Sequence, residues 1–253
     1  MIILKTDNEI RIMREANRIV AIILTEIKDK IRPGVNTYDL DQWAEEKIRS
    51  LNAVPGFKGY GYGSRLFPAT LCTSVNDEVV HGIPSKDVVL EEGDIIGIDV
   101  GTIYKGYYGD GAYTYAVGEI KGETERLMDV CEKALYIGIK EARNGNRVSD
   151  ISNAIDKFVR KNDFEIVRDL TGHGIGRDLH EEPQIINYNN GIKGKKLSPN
   201  MTLAIEPMIT NGDYRVKTMG DNWTVSTIDG SLSAHYEHTI AITENGPEIL
   251  TRV

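Results

Sequence analysis

The sequence of 253 residues predicts a mixed α/β fold made of two related halves. Segments with apolar residues at helical spacing are separated by shorter apolar segments that are typical of strands. The residue pattern of part of the first half is also repeated in the second half. No low-complexity stretch or Pro/Ser-rich linker divides the chain, so we expect one domain over residues 1–253.

Four segments have helical patterning. Thr6 and Glu9 have the spacing of a capping box, ahead of a helix that stops at the Arg-Pro-Gly sequence of residues 32–34. A second helix is predicted from near Thr37, with Leu40, Trp43, Ala44, Ile48 and Leu51 buried. Two more are predicted over residues 123–142 and 149–161, separated by an Asn-Gly-Asn break.

Strand patterning is found over residues 94–100, 111–117, 201–208 and 236–243. Residues 93–99 align with residues 200–206, because each segment is a turn residue followed by an apolar strand that ends in a carboxylate. Asp110 and Glu237 likewise open strand-like segments, although the second pair is further apart and requires an insertion in the second half. This internal repeat therefore suggests two half-domains that each supply two carboxylates to one place.

The composition argues against several classes of protein. A net charge of −8 excludes a nucleic-acid-binding surface spread over the whole fold, and we expect no specific nucleic acid partner. The longest apolar run, residues 19–24, is far shorter than the ~20 residues that cross a bilayer. The N-terminus lacks the order of regions found in a signal peptide, and two cysteines make no disulfide framework. We therefore expect a cytoplasmic protein with reduced thiols.

Asp99 and Asp110 lie on either side of Lys105-Gly106, a plausible tight turn. A hairpin through this turn places the two carboxylates opposite or diagonally adjacent, with Cβ atoms within roughly 5–8 Å. Asp99 also lies among isoleucines and valines, where an uncompensated charge costs several kcal/mol. The pair is either a cation site or two exposed polar residues on a hairpin, and these two residues alone leave both interpretations open.

Two further patterns favour the cation site. His173 lies in a segment with glycines at 172, 174 and 176, which let the backbone approach closely around the imidazole. Glu206 and Glu237 each occupy an apolar strand-like segment, and a structural salt bridge explains two such glutamates less readily than one. Four carboxylates and one imidazole suit two hard divalent ions better than a thiolate zinc site. Two ions ~3.5–4 Å apart can activate a bridging water for amide hydrolysis.

These motifs resemble those of the type I methionine aminopeptidases in the short bacterial form, in their family order and from about residue 5 to residue 251. The matching segments are His81-Gly82-Ile83-Pro84, the two aspartates, residues 172–176, Ile205-Glu206-Pro207-Met208 and Tyr236-Glu237-His238-Thr239. The resemblance implies the pita-bread fold, in which two pseudo-symmetric halves of antiparallel sheet and helices enclose a dinuclear metal centre. It also implies removal of the initiator methionine from nascent polypeptides when the second residue is small, through attack of a metal-bridging water on the scissile carbonyl.

The resemblance assigns roles to individual residues. The expected metal ligands are Asp99, Asp110, His173, Glu206 and Glu237, with Glu206 also acting as the general base. The expected catalytic and substrate-binding histidines are His81 and His180. Phe67, Cys72 and Trp223 match the substrate pocket, although Cys72 could be an ordinary buried thiol. Leu179 stands where relatives commonly have an aromatic residue, and residues 61–66, with Tyr62 as a candidate, do not align with the usual pocket wall.

The resemblance leaves the cofactor ions open among cobalt, manganese, iron, zinc and nickel. The expected partners are nascent N-termini, with ribosome association, and the expected state is a monomer. The alternatives are a proline-specific pita-bread peptidase, a catalytically inactive pita-bread protein that acts as a binding module, and a structural metal-binding domain. The first normally has an additional N-terminal domain, the second usually loses metal ligands, and the third gives His81 and His180 no reason to match.

Overall fold

The computed structural model describes residues 1–63 and 65–253, and these residues form two helix pairs that cover antiparallel sheets. Within them the α-helices are α1 (Asp7–Ile27), α2 (Thr37–Ser50), α3 (Glu123–Glu141) and α4 (Val148–Lys161), with a 3₁₀ turn at Lys28–Lys30. The four predicted helices are therefore confirmed, with ends within a few residues of the expected ones.

The helix starts follow from their capping residues. The Thr6 hydroxyl accepts a hydrogen bond from the Glu9 N–H, and the Glu9 carboxylate accepts one from the Thr6 N–H, so the predicted capping box is formed. Asn36 caps α2 through the N–H of Asp39. The expected burial on α2 holds for Leu40, Ala44 and Ile48 but is only partial for Trp43 and Leu51, which lie at the edge of the helix face.

The strands of the first half are β1 (Val54–Pro55), β2 (Gly61–Tyr62), β3 (Arg65–Leu66), β4 (Leu71–Val75), β5 (Glu78–Val80), β6 (Ile95–Tyr104) and β7 (Tyr107–Ala116). Those of the second half are β8 (Glu165–Ile166), β9 (Gly172–Gly174), β10 (Glu181–Ile185), β11 (Thr202–Ile205), β12 (Met208–Thr210), β13 (Val216–Thr218), β14 (Val225–Thr227), β15 (Ser233–His235), β16 (His238–Thr243) and β17 (Gly246–Ile249). Many of these strands have two to four residues, too short for an alternating pattern to reveal them in sequence.

Two sheets dominate the topology, and both are antiparallel. In the first half β6 pairs with β1, β4 and β7, and in the second half the order is β10-β9-β11-β16-β17. The helices α1 and α2 pack on the first sheet through one apolar cluster, and α3 and α4 pack on the second through another. The predicted arrangement of two related halves is confirmed.

The internal repeat has a structural basis. Gly93 and Asn200, the two aligned turn residues, both have a left-handed backbone, with φ of 94° and 70°. The strands that follow each pair with a strand at the second carboxylate: β6 pairs with β7, which contains Asp110, and β11 pairs with β16, which directly follows Glu237. One detail of the prediction is wrong: Asp99 lies in the middle of β6 rather than at its end, because the hairpin with β7 continues to Tyr104.

No helix among the described residues combines the length and the apolar character needed to cross a bilayer. The two halves meet along the β7 and β16 side, where the Glu237 N–H donates to the Ala112 carbonyl at 2.9 Å and the Thr239 hydroxyl donates to the Asp110 carbonyl at 2.8 Å. These hydrogen bonds join the carboxylate-bearing segment of one half to that of the other.

Candidate active site

The β6–β7 hairpin positions the first two carboxylates. Lys105 and Gly106 form its turn with φ of 49° and 78°, a pair of positive values that matches the twist of a tight hairpin. In this register Asp99 is opposite Ala112 and Asp110 is opposite Gly101. The two aspartates are therefore diagonal neighbours on one face of the sheet, the second of the two arrangements that the sequence allowed.

The glycine-rich segment positions His173 by close backbone packing. On β9, a Cβ atom at Gly172 would lie 2.4 Å from the Ala204 carbonyl oxygen, and one at Gly174 would lie 2.3 Å from that of Glu182. Only glycine therefore allows β9 to fit between β10 and β11. His173 pairs with Ala204 in this sheet and is buried.

Glu206 lies in the gap between β11 and β12, where the chain leaves the ladder. Pro207 has no N–H to continue the pairing, so β11 ends at Ile205 and β12 begins at Met208. Glu237 lies in the corresponding gap between β15 and β16. Both glutamates are thus placed at strand breaks next to the hairpin carboxylates, and Glu237 is only 2% exposed.

All five expected ligands line one cavity. Donor atoms of Asp110, His173 and Glu237 lie within 4.8 Å of one another. The Nε2 atom of His173 is 3.4 Å from Glu206 Oε1 and 3.7 Å from Asp110 Oδ2. Asp99 joins this group as the diagonal neighbour of Asp110.

The electrostatics of this cluster are unfavourable without a cation. Burial raises the pKa of Asp99 to about 7. Burial and then Asp99 raise the pKa of Asp110 well above its usual range, and burial with the neighbouring carboxylates does the same for Glu206 and Glu237. Burial lowers the pKa of His173 to about 3, which leaves a neutral imidazole with a lone pair for a metal.

The donor set fits a divalent metal centre. Asp99 Oδ1, Asp110 Oδ1 and Glu237 Oε1 are buried and have no hydrogen-bond partner among the described residues. Buried carboxylate oxygens are normally paired, and these three point to a cation as the missing partner. Carboxylate oxygens with one imidazole are ligands typical of manganese, iron, cobalt or zinc rather than of a thiolate site.

Two histidines that were not expected to be ligands lie in the same cavity, His81 and His180. His81 follows β5 with a left-handed backbone, φ of 62°, which is uncommon outside glycine and is typical of residues held in place for function. Burial lowers its pKa to about 4, with His180 as the second cause, so the ring is neutral. The His180 ring is 4.4 Å from the His173 ring in an edge-on arrangement.

The apolar part of the cavity contains Phe67, Cys72 and Trp223, as the sequence predicted, together with Leu179. The Phe67 and Trp223 rings are 5.2 Å apart and nearly perpendicular. Burial raises the pKa of the Cys72 thiol well above its usual range, so it is a neutral part of the wall.

Sequence reasoning missed Phe57 and Tyr60 and misplaced Tyr62. Phe57 and Tyr60 line the cavity, whereas the Tyr62 side chain is 89% exposed on β2, outside the lining. In the unaligned segment 61–66 the chain leaves the wall and forms the β2–β3 hairpin, and Ser64 lies outside the described residues. The signal for these two residues is the Phe-Lys-Gly-Tyr sequence just before this segment, which supplies two aromatic side chains next to the predicted pocket.

A smaller chamber adjoins the cavity beyond the histidines. It shares His81, His173, His180 and Glu206 with the main cavity and is closed by Val80, Leu170, Thr171, Met208 and His235. His235 is buried with its Nε2 atom 3.7 Å from Glu206 Oε2. His238 points elsewhere, towards the Thr251 and Tyr136 hydroxyls.

Comparison with known proteins identifies relatives over the whole chain. The model of metallopeptidase family M24 matches residues 11–244. "Methionine aminopeptidase 1" of Bacillus subtilis is 53% identical, and the match covers 100% of both chains.

Solved structures agree with this comparison. The crystal structure of methionine aminopeptidase from Thermotoga maritima has a TM-score of 0.97 and 46% identity, with 100% of both chains covered. The prolidase from Pyrococcus furiosus has a TM-score of 0.79 at 22% identity, and the match covers 99% of this chain and 66% of that one. That second likeness shows a shared fold alone.

Proposed function

The chain belongs to metallopeptidase family M24 as a methionine aminopeptidase with the pita-bread fold, and we propose how the side chains of its site divide the work of removing an N-terminal methionine. The observation that carries the proposal is the buried cluster of four carboxylates and one imidazole, in which one oxygen each of Asp99, Asp110 and Glu237 lacks a hydrogen-bond partner among the described residues.

The five clustered side chains would hold two divalent ions. Asp110 and Glu237 would bind both ions, Asp99 would bind one ion, and His173 with Glu206 would complete the other. This division is supported by the hairpin register, which puts Asp99 on one side of Asp110, and by the short His173–Glu206 distance on the other. When bound, such ions supply Lewis acidity for amide hydrolysis.

The remaining polar groups act on the substrate directly. His81 and His180 lie on the cavity wall with pKa values lowered by burial, and as neutral donors they would bind the scissile amide and stabilise the negative charge that develops on its oxygen. Glu206 takes up the proton of the hydrolytic water on its carboxylate.

The shape of the cavity supports a methionine side chain followed by a small second residue. Phe67, Cys72 and Trp223 give an apolar wall suited to an unbranched thioether. The chain of the substrate must then pass His81 and His180, where the adjoining chamber is small and is closed by Met208 and His235. A large second side chain would meet this wall.

Four further assignments belong to the same proposal. The chain would act as one catalytic domain and as a monomer, in the cytoplasm, and would meet its substrates, the N-termini of new polypeptides, at the ribosome. Its match to the Bacillus subtilis relative from end to end supports the single domain. The absence of a membrane-spanning helix among the described residues is consistent with the location.

Metal removal tests the proposal. Protein stripped with a chelator should release no methionine from a Met-Ala-Ser peptide, and adding manganese, iron, cobalt or zinc should restore the release, since three buried oxygens of the ligand cluster have no hydrogen-bond partner among the described residues. Titration should reach full activity at two ions per chain or fewer. Full activity in protein shown to contain no metal would contradict the assignment of all five ligands.

A further inference from the structure

Tyr60 lies at the rim of the active site, just before the β2–β3 hairpin. Its hydroxyl oxygen is 2.6 Å from Nδ1 of His180, and the two rings pack edge-on with centroids 5.4 Å apart. Tyr60 lines the same cavity as His180 but is not one of the five proposed metal ligands, so metal binding does not explain this hydrogen bond.

The backbone around Tyr60 holds the side chain in this place. The Tyr60 N–H donates to the Phe57 carbonyl at 2.8 Å, and the Tyr60 carbonyl accepts from the Phe67 N–H at 2.8 Å. The hairpin that separates Tyr60 from Phe67 is tied down by Arg65, whose guanidinium donates to the Asn222 carbonyl at 2.8 Å. Tyr60 is therefore fixed between two residues of the cavity wall.

The two nitrogens of His180 are not equivalent in this arrangement. Nδ1 is bonded to Tyr60, whereas Nε2 has no partner among the described residues. A neutral imidazole has one N–H, and the bond made by one nitrogen determines whether the other is a donor or an acceptor. A donor to the substrate at Nε2 requires a lone pair at Nδ1.

We propose that Tyr60 is a positioning residue for catalysis, whose hydroxyl donates to Nδ1 of His180 and so keeps the proton on Nε2, directed at the scissile amide. The inference rests on the proposed role of His180 as a donor to the substrate. Burial raises the pKa of the Tyr60 hydroxyl, which agrees with a phenol that retains its proton and donates it. Without this bond the ring could rotate or present a lone pair to the substrate oxygen.

Nitrogen NMR of zinc-loaded protein labelled with ¹⁵N-histidine tests the hydrogen bond independently of turnover. His180 is assigned from the signal that is missing in His180→Ala. We expect its Nδ1 to be unprotonated and its Nε2 protonated, and we expect the Nδ1 signal to move in Tyr60→Phe, which keeps the ring but lacks the donor. A proton on Nδ1 in the unmodified protein, or an unmoved Nδ1 signal in the variant, would overturn the proposal.

Kinetics test the consequence. Tyr60→Phe should lower kcat for Met-Ala-Ser by about tenfold or more, the usual effect of losing a partner that orients a functional group, with KM and bound metal unchanged. Tyr62→Phe is the matched control, since it removes the same hydroxyl from an exposed residue two positions away. It should leave all three quantities unchanged.

A double variant separates positioning from a merely structural role. In the His180→Ala background, Tyr60→Phe should cause no further loss of kcat, because its effect acts through His180. An equal loss in both backgrounds, or full kcat in Tyr60→Phe, would overturn the proposal. If the unmodified protein with metal fails to cleave Met-Ala-Ser, the proposed function fails instead, and the NMR measurement still decides the hydrogen bond.

Discussion

At the scale of single residues, the site combines buried carboxylates that need a cation with a histidine that is not a proposed ligand. Asp99, Asp110 and Glu237 have buried oxygens without partners among the described residues and so depend on a cation. His81 lies in the same cavity, is not needed as a ligand in the proposed set, and is held in a backbone conformation that few residues adopt. Metal binding and transition-state stabilisation should therefore respond to different substitutions.

The variant His81→Ala should retain its bound metal but have a lower kcat. We expect metal content close to that of the unmodified protein, with kcat lower by about 10²-fold or more, because the change removes a donor to the transition state. Metal analysis and steady-state kinetics on one preparation provide the measurement. Loss of metal with unchanged turnover per bound ion would show that His81 is a ligand instead.

The variant Asp110→Asn should lose bound metal, since a neutral amide is a poor replacement for a bridging carboxylate. Removing the charge also relieves the neighbouring carboxylates, so the variant should remain folded. Asp129→Asn, an exposed change on α3, is the matched control and should bind metal normally. Normal metal content in Asp110→Asn would contradict the bridging assignment.

At the scale of elements, α1 is tied to the strand that carries Asp110. The side-chain oxygen of Asn17 accepts from the Asp110 N–H at 3.2 Å, and its amide donates to the Met13 carbonyl at 2.9 Å. Gly109 allows this contact, because a Cβ there would lie 2.6 Å from the Ala16 backbone. The helix thus fixes the backbone of a proposed ligand.

Replacing Asn17 by alanine should lower the free energy of unfolding by about 1–3 kcal/mol, because the Asp110 N–H is left buried without an acceptor. Urea denaturation of the metal-free protein measures the change without a contribution from metal binding. Asn8→Ala, at an exposed position of the same helix, should change it little. Equal effects of the two substitutions would show that the Asn17 hydrogen bonds contribute no stability.

The start of α1 should give the protein a pH-dependent stability. A hydrogen bond from the Tyr107 hydroxyl, with those from Thr6, lowers the pKa of Glu9 from 4.5 to about 2. A carboxyl group whose pKa is lowered by folding stabilises the fold above its ordinary pKa, and this stabilisation is lost as the pH falls towards 2. Glu9→Gln should therefore reduce the loss of stability on acidification from pH 5 to pH 3, as measured by urea denaturation at each pH. An unchanged acid dependence would contradict the assignment.

At the scale of the whole molecule, the site lies where the two halves meet, because the β6–β7 hairpin supplies two of the clustered carboxylates and the second half supplies the rest of the cluster. The main cavity contains the wall of the proposed methionine pocket, and the smaller chamber adjoins it at His81 and His180, where the proposal puts the second residue of the substrate. The overall fold is shared with the Pyrococcus furiosus prolidase. We therefore expect the side chains that line these spaces, rather than the fold, to decide substrate choice.

We expect Met-Ala-Ser to be cleaved at least about 10²-fold more efficiently than Met-Lys-Ser, because a displacement of about 1 Å from the reacting geometry can cost that factor. The comparison of kcat/KM is made at equal metal loading. Met-Gly-Ser serves as the control for a second small residue and should resemble Met-Ala-Ser. Similar values for the alanine and lysine peptides would contradict the proposed role of the chamber.

The first position gives a separate comparison. If Leu179 leaves the pocket wider than an aromatic residue would, norleucine or leucine should replace methionine more readily than in relatives with the aromatic residue. Leu179→Phe supplies the matched protein, and it should discriminate more strongly against leucine. Equal discrimination by the two proteins would show that Leu179 does not set the width.

The sequence by itself determined the helices, the plan of two halves and the five carboxylate and imidazole side chains that gather at the site. These features are encoded locally, in the capping box of Thr6 and Glu9, in helical spacing, and in carboxylates placed where apolar strands would otherwise exclude them. The hairpin turn at Lys105 and Gly106 also places Asp99 next to Asp110 through local geometry alone.

The tertiary structure alone decided which residues far apart in the chain come into contact. The short strands, the contact of His173 with Glu206 and the hydrogen bond of Tyr60 with His180 join residues far apart in the chain, and no periodicity records such pairs. The same holds for Phe57, which lines the cavity, whereas the β2–β3 hairpin that follows it in the chain lies outside the lining. Local sequence patterns indicate which residue types belong to the site, whereas the distances between these residues depend on how the sheets pack.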